Sequence, residues 1–192
     1  MSDATDLTPL VANLSGRVRL QLLAKLANTC EQAVFRRLVQ RPVLAGSSIQ
    51  MGSLTTNRNA RKEAVNQTAV FQVHPADDTA PTSDCLTHSI YTLIKSPDAG
   101  RAPTLFTIGR VNQNDLIMPD LAISKRHAII EMKNGDYVIR DCQSTNGTWL
   151  NGVRLARQAT ALHDGDILAF ARYEFTFIYP DSLYQKLIAG QA

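Results

Sequence analysis

The sequence predicts a mainly β protein: an antiparallel β-sandwich with an α-helical N-terminal segment and a flexible linker ahead of it. Three observations carry this. From about residue 88 the apolar pattern changes from a helical to a two-residue period. The runs there are short and bounded by turn residues. No helical pattern lies between them, which separates a sandwich or barrel from an α/β arrangement.

The first element is helical. Thr8-Pro9 supplies an N-cap followed by proline at the first helical position, where its missing N–H costs no hydrogen bond. Val11, Leu14, Val18, Leu22, Leu26 and Cys30 then recur at three- and four-residue spacing as one apolar stripe. Leu20, Leu23, Ala27, Val34 and Leu38 widen it. A break is expected at Gly16, with Ser15 capping a second helix that runs to about Gln40, and Pro42 stops it. Residues 1–42 thus read as an amphipathic helical segment that packs on its own domain or on a second copy.

Residues 43–87 read as a mostly disordered linker. Gly46-Ser47-Ser48, Thr55-Thr56-Asn57 and the stretch from Ala76 to Asp84 are polar and turn-forming, without a sustained period. Within it, Ala69 to Val73 is expected to pair as an isolated strand or dock on a neighbour.

Residues 88–180 carry the sandwich. Ile90 to Ile94 and Leu105 to Ile108 are rich in branched and aromatic side chains, bounded by Pro97, Gly100 and Pro103. Ala128, Ile130 and Met132 alternate with Ile129, Glu131 and Lys133, and Tyr137 to Arg140 answer them across Asn134-Gly135, a strong hairpin signal. Ile167 to Phe170 and Tyr173 to Tyr179 make two further strands, with the aromatic odd positions 173, 175, 177 and 179 on one face. Residues 181–192 form a short tail of one or two helical turns.

Charge separates the two halves. Residues 1–68 hold nine Lys or Arg against four Asp or Glu, and the remainder eleven against thirteen, within a net charge of +3. That imbalance does not describe a uniformly nucleic-acid-binding chain. Cys30, Cys85 and Cys142 are widely spaced, which gives neither a disulfide framework nor a zinc-finger spacing and suits a reducing, cytoplasmic setting. The acidic opening Met-Ser-Asp-Ala-Thr-Asp has no apolar run behind it, unlike a secretory signal, and no run is long enough to span a bilayer.

Four clusters fall in the turns: Gly109-Arg110, Ser124-Lys125-Arg126-His127, Ser144-Thr145-Asn146-Gly147-Thr148 and Asn151-Gly152. Alternate turns of an antiparallel sandwich emerge at one end, so several of these are expected to converge. Together they offer a guanidinium, an ammonium, hydroxyls, a carboxamide and glycine-loosened backbone N–H groups. That set suits a dianionic phosphoester, which arginine grips through a bidentate fork.

With these clusters in this order, and with Asn114-Asp115-Leu116-Ile117 and Leu162-x-Asp164-Gly165-Asp166-x-Leu168 beside them, the chain resembles the forkhead-associated (FHA) family of phosphothreonine-binding domains over about residues 88–180. The resemblance implies an FHA-type sandwich in which Arg110 grips the phosphate and Ser124 adds a hydrogen bond. Lys125 and Thr145 would contact the phosphate further, and Asn146 would hold the peptide main chain. Gly109, His127 and Gly147 would be architectural, with Asn151 grouped beside them.

Other chemistries fit poorly. Ser124 and His127 lack the nucleophile elbow of a hydrolase. His74, His88 and His163 lack metal-ligand spacing, and Asp164-Gly165-Asp166 reads as a turn rather than a calcium loop. No nucleotide-binding loop or kinase set is present, so neither a cofactor nor an enzymatic activity is expected. The expected function is a signalling adaptor that binds a phosphothreonine-containing protein, the substrate of a Ser/Thr kinase, or its own phosphorylated linker at Thr68, Thr79 or Thr82. The alternative is nucleic-acid or anionic-membrane binding by the basic N-terminal helices, with the sandwich as scaffold. Homo-oligomerisation through the N-terminal helix is a third role for that segment.

Overall fold

In the computed structural model of the chain, residues 17–47, 49, 89–96 and 102–190 are described. The N-terminal part gives a short strand β1 (Arg17–Val18), helices α1 (Leu20–Thr29) and α2 (Gln32–Leu38), and strand β2 (Val43–Gly46). Then come β3 (Ser89–Thr92), β4 (Leu105–Gly109), β5 (Leu116–Ile117), β6 (Ala128–Lys133) and β7 (Asp136–Asp141). The chain continues through β8 (Thr148–Leu150), β9 (Val153–Arg154), β10 (Thr160–Leu162), β11 (Ile167–Phe170), β12 (Tyr173–Ile178) and helix α3 (Pro180–Ala189).

The strands form two sheets, ordered β1-β3-β2-β12-β11-β8-β9 and β10-β7-β6-β4-β5. All pairings are antiparallel except β4 with β5, where Ile108 and Leu116 pair in parallel. The expected hairpin is present, with Lys133 opposite Asp136 and positive φ at both Asn134 and Gly135.

The first sheet is the middle of three layers, and the pleat explains how. Odd residues Phe175 and Phe177 of β12, with Leu44 and Tyr91 of the neighbouring strands, face the second sheet and pack on Phe106, Ile108, Ile130 and Ile139. Their neighbours in sequence, Ile178, Val43, Ala45 and Ile90, point the other way and pack under the helices on Leu23, Ala27, Phe35, Leu183 and Leu187.

Four expectations are corrected. Val43–Gly46 is not linker: β2 lies inside the first sheet, bonded to β12 and β3, because both of its faces are buried. The buried face of α1 is centred on Leu23 and Ala27, whereas Leu22 and Leu26 are only half-buried, since β1 and Arg19 set the phase of the helix. In α2 the anchor is Phe35, fully buried and 5.3 Å from the Tyr184 ring, while Val34 is exposed. The tail is longer than expected: α3 is 10 residues with Pro180 in its first turn, and it packs on α1 and α2. The expected helix start at Thr8-Pro9, the break at Gly16 and the strand at 69–73 lie outside the described residues.

Candidate functional site

The site occupies the end of the sandwich where Phe170 meets Tyr173, with Thr148 alongside. Register brings Gly109, Ala128 and Asp141 of the second sheet to that same end.

Gly109 closes β4, and a methyl group placed on it would lie 2.3 Å from the Lys125 carbonyl oxygen. The two backbones therefore touch, which only glycine allows here. The Arg110 N–H donates to the Ser124 carbonyl at 3.0 Å. The Asn114 side chain donates to the carbonyls of Val111 and Lys125, both at 2.8 Å, latching one loop to the other.

The third loop is stitched on at two successive residues. Thr145 N–H donates to Ser124 Oγ at 3.1 Å, and Asn146 Nδ2 donates to the Ala122 carbonyl at 2.8 Å. The Ser124 hydroxyl proton has no acceptor among the described residues, so it can be given to an oxyanion. Asp141 folds this loop by accepting from Ser144 N–H, Ser144 Oγ and Thr148 Oγ1.

His127 sits beneath all three loops. Its Nδ1 accepts from Ser124 N–H at 3.1 Å, so the ring proton is on Nε2, which donates to the Gly147 carbonyl at 3.0 Å. Burial lowers its pKa from the ordinary value, against the raising effects of the Gly147 bond and the Asp141 charge. Gly147 has φ +83°, and its carbonyl also accepts from Ala171 N–H.

Arg110 is 6% exposed, and burial lowers its pKa while the charge of Asp120 raises it; a guanidinium stays protonated throughout. Asp120 itself is a hub. Burial pushes its carboxyl up, but the Tyr173 hydroxyl at 2.5 Å, the Ala122 N–H and the Arg172 guanidinium together bring it below the usual carboxylate range. Asp115 is spent elsewhere, accepting from Lys95, Ser96 N–H and both Thr107 donors.

Gly109, Arg110, Ser124, Lys125, His127, Thr145, Asn146 and Gly147 are thus gathered at one end, with the Lys125 and Thr145 side chains exposed on its rim. Asn151 is not among them. It sits in the β8–β9 turn, where Nδ2 donates to Asp166 and Oδ1 accepts from Ile167 N–H. Four residue steps at about 3.3 Å each, through the three-residue strand β8, carry it on the order of 13 Å from Gly147. Its role is to hold a type I′ turn, with φ +50° at Asn151 and +77° at Gly152.

Asp120, Asp141 and Tyr173 were not legible as supports, although each Asp accepts from an N–H two or three residues on, the local habit of an Asx turn. Among the described residues no three His, Cys, Asp or Glu side chains gather as a metal site, and no helix is long and apolar enough to cross a membrane.

Fold and rim define a β-sandwich whose working groups stand on interstrand loops at one end. Residues 106–171 match the family model for the FHA domain. It is 39% identical over 75 residues to the ABC transporter ATP-binding/permease protein Rv1747 of Mycobacterium tuberculosis, covering 39% of this chain and 8% of that protein. The oxoglutarate dehydrogenase inhibitor of Corynebacterium glutamicum is 26% identical over 141 residues, covering 65% of this chain and 96% of that one. A solved structure, Mycobacterium tuberculosis EmbR in complex with a low-affinity phosphopeptide, shares 34% identity over 40% of this chain and 20% of that chain, with a TM-score of 0.39. The chain spans 8% of Rv1747 and 18% of the EmbR sequence.

Proposed function

We propose that the protein is a phosphothreonine-dependent interaction adaptor rather than an enzyme. The observation that carries this reading is the joint between loops: Thr145 N–H on Ser124 Oγ and Asn146 on the Ala122 carbonyl, beside the buried Arg110. In it, Arg110 grips the phosphate, Ser124 donates its hydroxyl proton, and Lys125 and Thr145 complete the cage. Asn146 holds the main chain of the bound peptide. The relatives support it in the same direction: EmbR was solved with a phosphopeptide, and the Corynebacterium protein is named for inhibiting an enzyme.

Hydrogen bonds to charged groups contribute about 1.5–3 kcal/mol each, so Arg110→Ala should weaken binding of a phosphothreonine peptide at least about tenfold. Calorimetric titration of the full chain with a phosphothreonine library tests this, and equal affinity of wild type and Arg110→Ala would end the proposal.

The phosphothreonine has two sources, a separate protein or this chain. One observation favours including the second: Gly46 of β2 pairs with Ser89 of β3 beside Phe175, so residues 47–88, with Thr68, Thr79 and Thr82, begin and end at the working end of the sandwich. Kinase treatment of the full chain separates them. Self-binding shields the site from added peptide, whereas an outside partner leaves peptide affinity unchanged. The alternative reading as a membrane binder loses its apolar surface, because α1 and α2 spend Leu23, Ala27 and Phe35 on the first sheet.

A further inference from the structure

We propose that Arg154 makes the site selective for phosphothreonine sequences carrying a second negative charge a few residues away, a side-chain carboxylate or a second phosphate. The inference rests on the phosphothreonine reading above and adds the class of sequence recognised.

Arg154 reaches the rim through strand register. The tight Asn151-Gly152 turn returns β9 antiparallel to β8, pairing Arg154 with Trp149, and Leu155 N–H donates to the Thr148 carbonyl at 2.8 Å. The side chain then lies across Gly147: a methyl group built there would stand 2.6 Å from Arg154 Nε and 3.3 Å from one terminal nitrogen. Glycine at this position, already required by its positive φ, also leaves the space the guanidinium fills. Gly147 directly follows Asn146, so this cation borders the path of any peptide held there.

Charge at the rim is one-sided. Asp115 is buried against Lys95, Asp120 is held by Arg172 and Tyr173, and Asp141 is occupied by Ser144 and Thr148. Exposed Arg154 has no ion pair or hydrogen bond to its side chain among the described residues, and the same is true of exposed Arg126. An extended peptide advances about 3.3 Å per residue, so a side chain two or three places from the phosphothreonine falls within reach of a guanidinium this close to Asn146. Such a pair is solvent-bathed and gains from the fork geometry of arginine, which sets its size at about three- to tenfold in affinity.

The test titrates the full chain, wild type and Arg154→Ala, with three phosphothreonine peptides: alanine-flanked, aspartate-flanked, and doubly phosphorylated. Wild type is expected to prefer the charged peptides, with the two charged forms distinguishing carboxylate from phosphate as the natural group. Arg154→Ala should lose that preference while binding the alanine-flanked peptide within about twofold of wild type, and Arg154→Glu should come to prefer a lysine-flanked peptide. Unchanged melting temperatures show that the variants fold. Absence of the preference in wild type, its survival in Arg154→Ala, or its loss in Arg126→Ala alone would overturn the assignment while leaving the phosphothreonine site standing. Failure of every phosphothreonine peptide to bind wild type would remove both.

Discussion

Ser124 and His127 hold each other in place: the backbone N–H of one donates to Nδ1 of the other at 3.1 Å, while Nε2 of the same ring reaches Gly147. One neutral imidazole therefore sets the spacing of two loops of the candidate site, and only one tautomer can do it.

The first prediction concerns acid. Protonation would make Nδ1 a second donor facing the Ser124 N–H, so folding favours the neutral ring, as its lowered pKa indicates. With the folded value below the unfolded one of about 6.5, the contribution to stability is full above that pH and is lost as pH falls through the folded value. Thermal unfolding of the unliganded chain between about pH 7.5 and 5 should show this loss, and His127→Gln should abolish that component of the pH dependence while lowering stability by about 2 kcal/mol or more. Indistinguishable pH profiles for the two proteins would refute the assigned tautomer.

A second prediction isolates backbone contact. Gly109→Ala adds one methyl group, 2.3 Å from the Lys125 carbonyl and 2.7 Å from Asn114 Nδ2. Overpacking of this kind costs about 1–3 kcal/mol, and it displaces the loop bearing Ser124 and Lys125. Denaturant unfolding should show the loss, and phosphothreonine peptide affinity should fall with it. A variant of wild-type stability and affinity would mean that the two loops are further apart than described.

A third prediction concerns where the folded unit starts. A fragment of residues 88–180 lacks β2, which bonds to both β12 and β3, and lacks the helices that cover Ile90 and Ile178. It should fail to give a cooperative melting transition, whereas residues 17–190 should melt cooperatively. Within the full chain Phe35→Ala should cost about 3–5 kcal/mol, the usual penalty for emptying a buried ring site. Cooperative unfolding of the short fragment would show that the helical layer is an accessory.

The sandwich was legible where one face of a strand is polar, as in β6, β7 and β12, because alternation then marks both the element and its register. It was illegible at Val43–Gly46, whose two buried faces leave a short apolar run with no alternation, and whose hairpin partner stands far along the chain at Ser89–Thr92. The convergence of three of the four turns was legible because their polar groups are concentrated in short clusters at 109–110, 124–127 and 144–148. Asn151 was misplaced because adjacency in sequence to Gly147 does not survive three residues of extended strand. Arg154 escaped for the converse reason, since only the return of β9 brings it back beside Gly147.

The pairing of Gly46 with Ser89 has an evolutionary consequence. Loop closure depends only logarithmically on length, at about 0.6 kcal/mol per doubling, so the stretch between these two strands can be lengthened or shortened almost without penalty. Sequence can be added or removed between these two strands generation after generation while the sheets keep their register.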